Sequence, residues 1–190
     1  MDILIVGVGG QGTLLASRIL GAYADATDQD VKLNEVHGMS QRGGSVVTHV
    51  RVGQNIAAPT VSVGDTDIVL AFEQLEAMRY AHFLKKGGSL VVNTQKIMPM
   101  GVITGQCKYP TDIDAKLNGD YNKYFIDAES LAEQAGSVKA VNVVMIGALT
   151  KILKLDEKVM KKAIENTVPT KFLELNLKAF DLGYENGEKQ

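Results

Sequence analysis

The chain has 190 residues, 45% hydrophobic and 22% charged, with a formal net charge of −2. That is the length and composition of one ordinary globular domain, and it argues against a nucleic-acid or membrane-binding surface. The single cysteine, Cys107, excludes an internal disulfide and an iron–sulfur cluster ligated by this chain alone. An apolar strand begins at residue 3, leaving no room for a secretory signal, and the apolar stretch Ala140 to Thr150 is too short to span a bilayer. The expectation is a cytoplasmic protein with one domain over residues 1–190.

Ile3 to Val6 is a short β-branched run that reads as a buried strand. GVGGQG (Gly7 to Gly12) follows at once, and then the helix-forming TLLASRILG. Gly7, Gly9 and Gly12 satisfy G-x-G-x-x-G between a strand and a helix, the context in which that pattern has meaning. The first glycine permits the turn, the second lets backbone approach a ligand, and the third lets helix pack on strand. Free amides at the helix start offer a seat for an anion. The same glycines can also survive as architecture with no ligand, so the motif alone leaves both readings open.

The first helix carries Leu15, Ile19, Ala22 and Ala26 at helical spacing, and the polar cluster Asp25 to Asp30 turns the chain back. Val31 to Val36 is expected as a second strand closing a βαβ unit, with Glu35 placed where a dinucleotide fold holds a ribose hydroxyl. The loop HGMSQRGG (His37 to Gly44) is polar and glycine-rich, with Arg42 its one cation. Such a loop can wrap a ligand or a partner and adds little to a core; as a plain surface loop it would hold Arg42 in a salt bridge. Ser45 to Val52 alternates as a strand; Gly53-Gln54 is a turn candidate, and Asn55 to Ala58 a returning partner strand in an added hairpin.

Further along, the pattern predicts a strand at Ile68 to Phe72, a helix at Gln74 to Leu84, a turn at Lys85 to Gly88 and a strand at Leu90 to Asn93. Lys96 to Pro110 is irregular with one short strand at Val102 to Gln106, followed by a weak helix at Thr111 to Leu117. Tyr124 to Ile126 is a strand before the helix Glu129 to Ala135, where Ser130 and Glu133 fit a capping box. Three helices close the chain: Val141 to Leu153, Glu157 to Thr167 with Lys158, Lys161 and Lys162 on a solvated face, and Lys171 to Gly183. The last has two apolar stripes, Phe172-Leu175-Ala179-Leu182 and Leu173-Leu177-Phe180-Tyr184, wider together than the ~100° that packing on one sheet needs. One stripe is therefore expected at a subunit interface. The fold class is α/β: a Rossmann-like, doubly wound, mostly parallel sheet with an added hairpin and a helical C-terminus.

No H-E-x-x-H, no Cys/His metal spacing and no G-x-S-x-G is present, and Thr13 follows Gly12 where a P-loop would need lysine. His49 and His82 are isolated. This is a binding fold without evident catalytic machinery, the profile of a subunit. The candidate cofactor-binding or interface residues are Gly7, Gly9, Gly10, Gln11 and Gly12 of the first turn, with His37, Gly38, Met39, Gln41, Arg42, Gly43 and Gly44 of the polar loop; no catalytic or metal-binding residue is assigned.

GVGGQGTLLASRILG, EVHGMSQRGGSVVTHVRVG, the segment AFEQLEA, NVVMIGAL and FLELNLKAFDLGYE together resemble the gamma domain of 2-oxoacid:ferredoxin oxidoreductases over nearly the whole chain. The HGMSQRGG form is similar to that of the small (beta) subunit in the indolepyruvate branch; pyruvate and 2-oxoglutarate relatives tend to carry a tyrosine-glycine-proline version. The resemblance implies a complete enzyme that oxidatively decarboxylates an aryl 2-oxoacid, transfers the acyl group to coenzyme A and passes electrons to ferredoxin. Thiamine diphosphate and the iron–sulfur clusters would lie in a larger partner subunit, with no cofactor bound by this chain alone. The gamma domain would pack on the thiamine-binding domains and border the coenzyme A path. This chain lacks the Gly-Asp-Gly…Asn-Asn thiamine pattern. The alternative is a free-standing NAD(P)-dependent oxidoreductase using GVGGQG and Glu35; an adenylating enzyme of the ubiquitin-activating type is set aside because HGM follows Glu35.

Overall fold

A computed structural model describes residues 1–38 and 43–188. The chain runs β1 (Asp2–Val8), α1 (Thr13–Ala26), β2 (Asp30–His37), β3 (Ser45–Gly53), β4 (Thr66–Ala71), α2 (Gln74–Tyr80) and β5 (Leu84–Asn93). It continues through two single-turn helices, α3 (Met100–Ile103) and α4 (Ile113–Lys116), to β6 (Asn122–Ile126) and α5 (Ala128–Ala135). Helices α6 (Val141–Leu153), α7 (Glu157–Thr167) and α8 (Leu173–Glu185) close it. The six strands form one sheet in the order β2-β3-β1-β4-β5-β6.

β1, β4, β5 and β6 are parallel neighbours, while β3 is antiparallel to both β1 and β2. The expected Rossmann-like α/β architecture is therefore present, on a sheet that is mixed with three of its five pairings parallel, and with two changes of connection. β2 does not lie beside β1, because β3 is wedged between them. The hairpin is β2–β3, closed by the polar loop, and Asn55 to Ala58 form no strand. That segment instead crosses β3 as a strap: Arg51 donates to the carbonyls of Ala58 and Thr60, and Lys32 to that of Ala57.

Alternation along β1 sends Ile3 and Ile5 to one face and Leu4 and Val6 to the other, and two cores follow. The first is covered by α1 and α5–α8. The second, smaller one lies under α2, α4 and Val61, which follows the strap. α6 is buried from Val141 through Thr150, as a helix apolar on all sides must be.

Four further expectations are corrected. Lys85 to Gly88 lie inside β5 as an irregularity in its pairing with β4, rather than as a separate turn. Val102 to Gln106 form no strand: Val102 and Ile103 belong to α3, whose amides turn back to the Pro99 carbonyl. α5 is capped by Asp127, whose carboxylate accepts from the Ser130 amide and hydroxyl, so Ser130 is the capped residue, not the cap. Finally, both stripes of α8 pack on α5, α6 and α7 of the chain itself, with Leu173, Leu175, Leu177, Leu182 and Tyr184 partly buried. Phe180 and Ala179 are fully buried, and Phe172 is the one stripe residue left largely exposed. The cause is close approach: Gly147 of α6 and Gly183 of α8 let the two backbones meet.

His49 on β3 is buried, and its Nδ1 accepts from the Val61 amide at 3.2 Å. Burial lowers its pKa below the ordinary 6.5. The unfolded chain thus takes up this proton more readily, so the contribution of His49 is full above about pH 6.5 and shrinks as pH falls toward the folded value. In urea titrations, the stability difference between wild type and His49→Gln should be largest above that pH and narrow on acidification. A difference independent of pH between 7.5 and 5 would refute this.

Candidate functional site

The carboxyl ends of β1, β4 and β5 meet where the first turn leaves the sheet. β1 feeds α1 on one face and β4 feeds α2 on the other, the arrangement of a switch point in a doubly wound sheet. Gly10 (φ 107°) and Gly12 (φ 82°) adopt left-handed backbone, which is why residues with side chains are excluded there. A Cβ on Gly12 would also fall 2.6 Å from Asn142 Nδ2, an amide that donates to the Gly12 carbonyl at 3.3 Å. Gly10 faces open space.

Gln11 supports the turn from inside. Its Oε1 accepts from the Val8 amide at 2.7 Å, and its Nε2 donates to Phe72 O and to Gln95 Oε1, both at 2.8 Å. Gln95 in turn donates to Glu129 at 3.0 Å. One side chain thereby ties the ends of β1 and β4 to the segment after β5. Gly7 is buried in β1, where a Cβ would meet Gln11 and Phe72, so its role is packing.

Among the described residues, the amides of Gly10, Gly12, Thr13 and Leu14 have no protein acceptor. Gly12 caps α1 without a side-chain hydrogen bond, and no acidic residue lies in the first turn of the helix. The first turn of the helix itself therefore sets no negative charge against the positive end of its dipole. Two clefts flank this point. One, of about 420 Å³, is lined by Gly10, Gln11, Gly12, Gln95, Glu129, Val138, Lys139 and Val141. The other, of about 380 Å³, is lined by Gly9, Gly10, Gly12, Thr13, Leu14, Glu35, His37 and Val46.

The two glycine-rich stretches of the sequence meet here. The Gly9 amide donates to Gly44 O at 2.9 Å, and the Gly43 amide to Gly9 O at 3.4 Å. His37 and Gly38 are exposed at the end of β2. Met39, Gln41 and Arg42 lie outside the described residues. Sequence reasoning missed Gln95, Glu129 and Lys139, which share the first cleft. It also missed Glu73 and Glu76, buried at the start of α2. The two glutamates had a signal, since acidic residues three apart directly after an apolar strand are a helix-start pattern. The other three had none.

Glu35 lines the second cleft and accepts from the Thr48 hydroxyl at 3.3 Å. The wedge of β3, however, places its strand two positions from β1, about 9–10 Å, where a dinucleotide fold needs the adjacent strand.

A glycine turn with open amides, on a mixed sheet whose second strand is displaced by an antiparallel one, defines a Rossmann-like α/β domain that departs from the dinucleotide-binding arrangement of a dehydrogenase. The chain belongs to the pyruvate ferredoxin/flavodoxin oxidoreductase family, which matches residues 2–186. It is 44% identical to indolepyruvate oxidoreductase subunit IorB of Pyrococcus horikoshii, over 96% of this chain and 93% of that protein. Its fold matches the crystal structure of a keto/oxoacid ferredoxin oxidoreductase gamma subunit from Geobacter sulfurreducens, with a TM-score of 0.74, 26% identity and coverage of 98% and 97% of the two chains. It also matches, in fold, part of a 2-oxoglutarate:ferredoxin oxidoreductase from Magnetococcus marinus solved with 2-oxoglutarate, coenzyme A and succinyl-CoA bound. There the TM-score is 0.69 and the identity 21%, covering 98% of this chain and 31% of the other.

Proposed function

We propose that this chain is the small subunit of a cytoplasmic, thiamine-dependent 2-oxoacid:ferredoxin oxidoreductase acting on indolepyruvate or a related aryl pyruvate. The identity with the indolepyruvate oxidoreductase subunit, sustained over almost the full length of both chains, carries this reading. The larger partner subunit supplies the thiamine diphosphate and the iron–sulfur clusters, and ferredoxin takes the electrons. Consistent with that division, this chain has one cysteine, and no helix among the described residues is long and apolar enough to cross a membrane.

The face around Gly9–Gly12 and the His37–Gly44 loop borders the path of coenzyme A. Free amides at the start of α1 suit an anionic group such as its phosphates. Bound coenzyme A supplies the thiol that receives the acyl group. The part of this chain is to seat and orient the nucleotide end and to close the path on the partner. Arg42 contributes a bidentate, charge-assisted contact to a phosphate or to an acidic group of the partner.

The test is the enzyme reconstituted with its large subunit, which should reduce ferredoxin in a reaction dependent on both indolepyruvate and coenzyme A. In that assay Arg42→Ala should raise the Michaelis constant for coenzyme A about tenfold, or weaken assembly comparably, as expected for a lost charged hydrogen bond. The thermal stability of the chain should be unchanged. Wild-type values on both counts would make the loop ordinary surface.

A further inference from the structure

The carboxylates that open α2 lie outside both clefts. Glu73 is only 1% exposed; its Oε2 accepts from the Glu76 amide at 3.0 Å, and its Oε1 from the Ile97 amide at 3.1 Å and the Tyr109 hydroxyl at 2.5 Å. Three donors account for its burial. Glu76, 4% exposed, is a different case. Its Oε2 accepts from Ser45 Oγ at 2.5 Å, and the one cation paired with it among the described residues is the half-exposed Arg79, 3.5 Å from Oε1. Burial, reinforced by the charge of Glu73, raises its pKa against the opposing pull of Ser45 and Arg79. Helix α2 is already capped by Glu73, so a second buried carboxylate adds a desolvation cost that capping does not require.

What Glu76 grips explains its place. Ser45 is the first residue of β3, and the residue before it, Gly44, accepts the Gly9 amide. A small cavity between them is lined by Gly43, Ser45, Glu73, Glu76 and Arg79. The contacts run from α2 to the first turn in three steps: Glu76 to Ser45, along the backbone to Gly44, and across to Gly9. Gly44 has no side chain of its own with which to be fixed. Its neighbour Ser45 is held by two things, the pairing of its backbone with Val8 of β1 and the grip of Glu76 on its hydroxyl.

We infer that Glu76 is a positioning residue, which through the Ser45 hydroxyl holds Gly44 against Gly9 and so sets the seam between the two glycine-rich loops. The functional weight of that seam rests on the reading given under Proposed function; the positioning itself does not. The requirement is a fixed acceptor at Glu76 and a hydroxyl at residue 45, which makes the inference specific to two atoms.

The experiment is amide hydrogen exchange on the full chain, comparing wild type with Glu76→Ala, Ser45→Ala and Ser45→Thr. Glu76→Ala and Ser45→Ala should each speed exchange of the Gly9 amide about tenfold, while Val6 and Leu70 amides in the same sheet keep their rates. Ser45→Thr, which keeps the hydroxyl, should restore protection, and the double alanine variant should exceed neither single one. Ser45→Ala also guards against misfolding of the Glu76 variant, since Ser45 is only partly buried and its loss leaves no large cavity. Unchanged Gly9 exchange in Ser45→Ala, or acceleration shared equally by Val6 and Leu70, would overturn the inference. In the reconstituted enzyme, Ser45→Ala should raise the Michaelis constant for coenzyme A with little change in turnover. If Gly9 is released and that constant does not move, the positioning holds and the assignment of the seam to the coenzyme A path fails.

Discussion

Gly183→Ala should lower the stability of the chain by about 3 kcal/mol, the upper end of the usual cost of overpacking a close-packed interior. A Cβ at this position would fall inside contact distance of the Val144 carbonyl of α6, and the neighbouring crossing point, Gly147, has the same relation to the Phe180 carbonyl of α8. Both obstacles are backbone, so no side-chain rotation relieves them, and the helices must move apart along their whole contact. Alanine does gain up to about 1 kcal/mol of helix propensity over glycine. That gain is smaller than the strain, so the net effect remains destabilising. For a chain of this size the melting temperature should fall by about 6–12 °C. A variant melting within about 2 °C of wild type would show that α6 and α8 do not meet at these glycines.

Gln11→Ala should cost about 2–3 kcal/mol, since it removes three hydrogen bonds and leaves the buried Val8 amide without its acceptor. The Phe72 carbonyl keeps its second donor, Asn93 Nδ2 at 3.1 Å, which limits the loss on that side. Gln11→Glu separates the two halves of the role. It retains an acceptor for the Val8 amide but sets a carboxylate oxygen against Phe72 O and Gln95 Oε1. Its destabilisation should be comparable at pH 8 and smaller at pH 5, where protonation restores a donor. Urea titration of the three proteins at the two pH values measures this. Stability of Gln11→Ala within 0.5 kcal/mol of wild type would mean that the turn holds itself.

Local pattern carried the elements whose stability is local. The bounds read for α6 and α7 coincide with those found, because the apolar run of α6 and the 3.6-residue periodicity of α7 are properties of contiguous sequence. Pairing is not such a property. Val31 to Val36 reads as a strand whether its neighbour is β1 or β3, and only tertiary structure decides that β3 enters between them. Val102, Ile103 and Thr104 have strand propensity, yet α3 forms because Pro99 leaves a carbonyl to be met by the following turn. At the site, Gly10 and Gly12 were legible because a left-handed backbone selects glycine. Gln11 was legible as a member of the motif but not in its role, which depends on Phe72 and Gln95, 61 and 84 residues away. Lys139 and Glu129 reach the same cleft only through the packing of α5 and α6.

The identity of this chain as a subunit is tested most directly by adding it back. Purified large subunit, loaded with thiamine diphosphate and its clusters, is titrated with this chain while indolepyruvate- and coenzyme A-dependent reduction of ferredoxin is followed. Activity should be absent from this chain alone, should rise as it is added, and should saturate at a fixed ratio of the two chains. Turnover by this chain with the partner excluded by mass spectrometry, or full activity of the large subunit without it, would contradict the account.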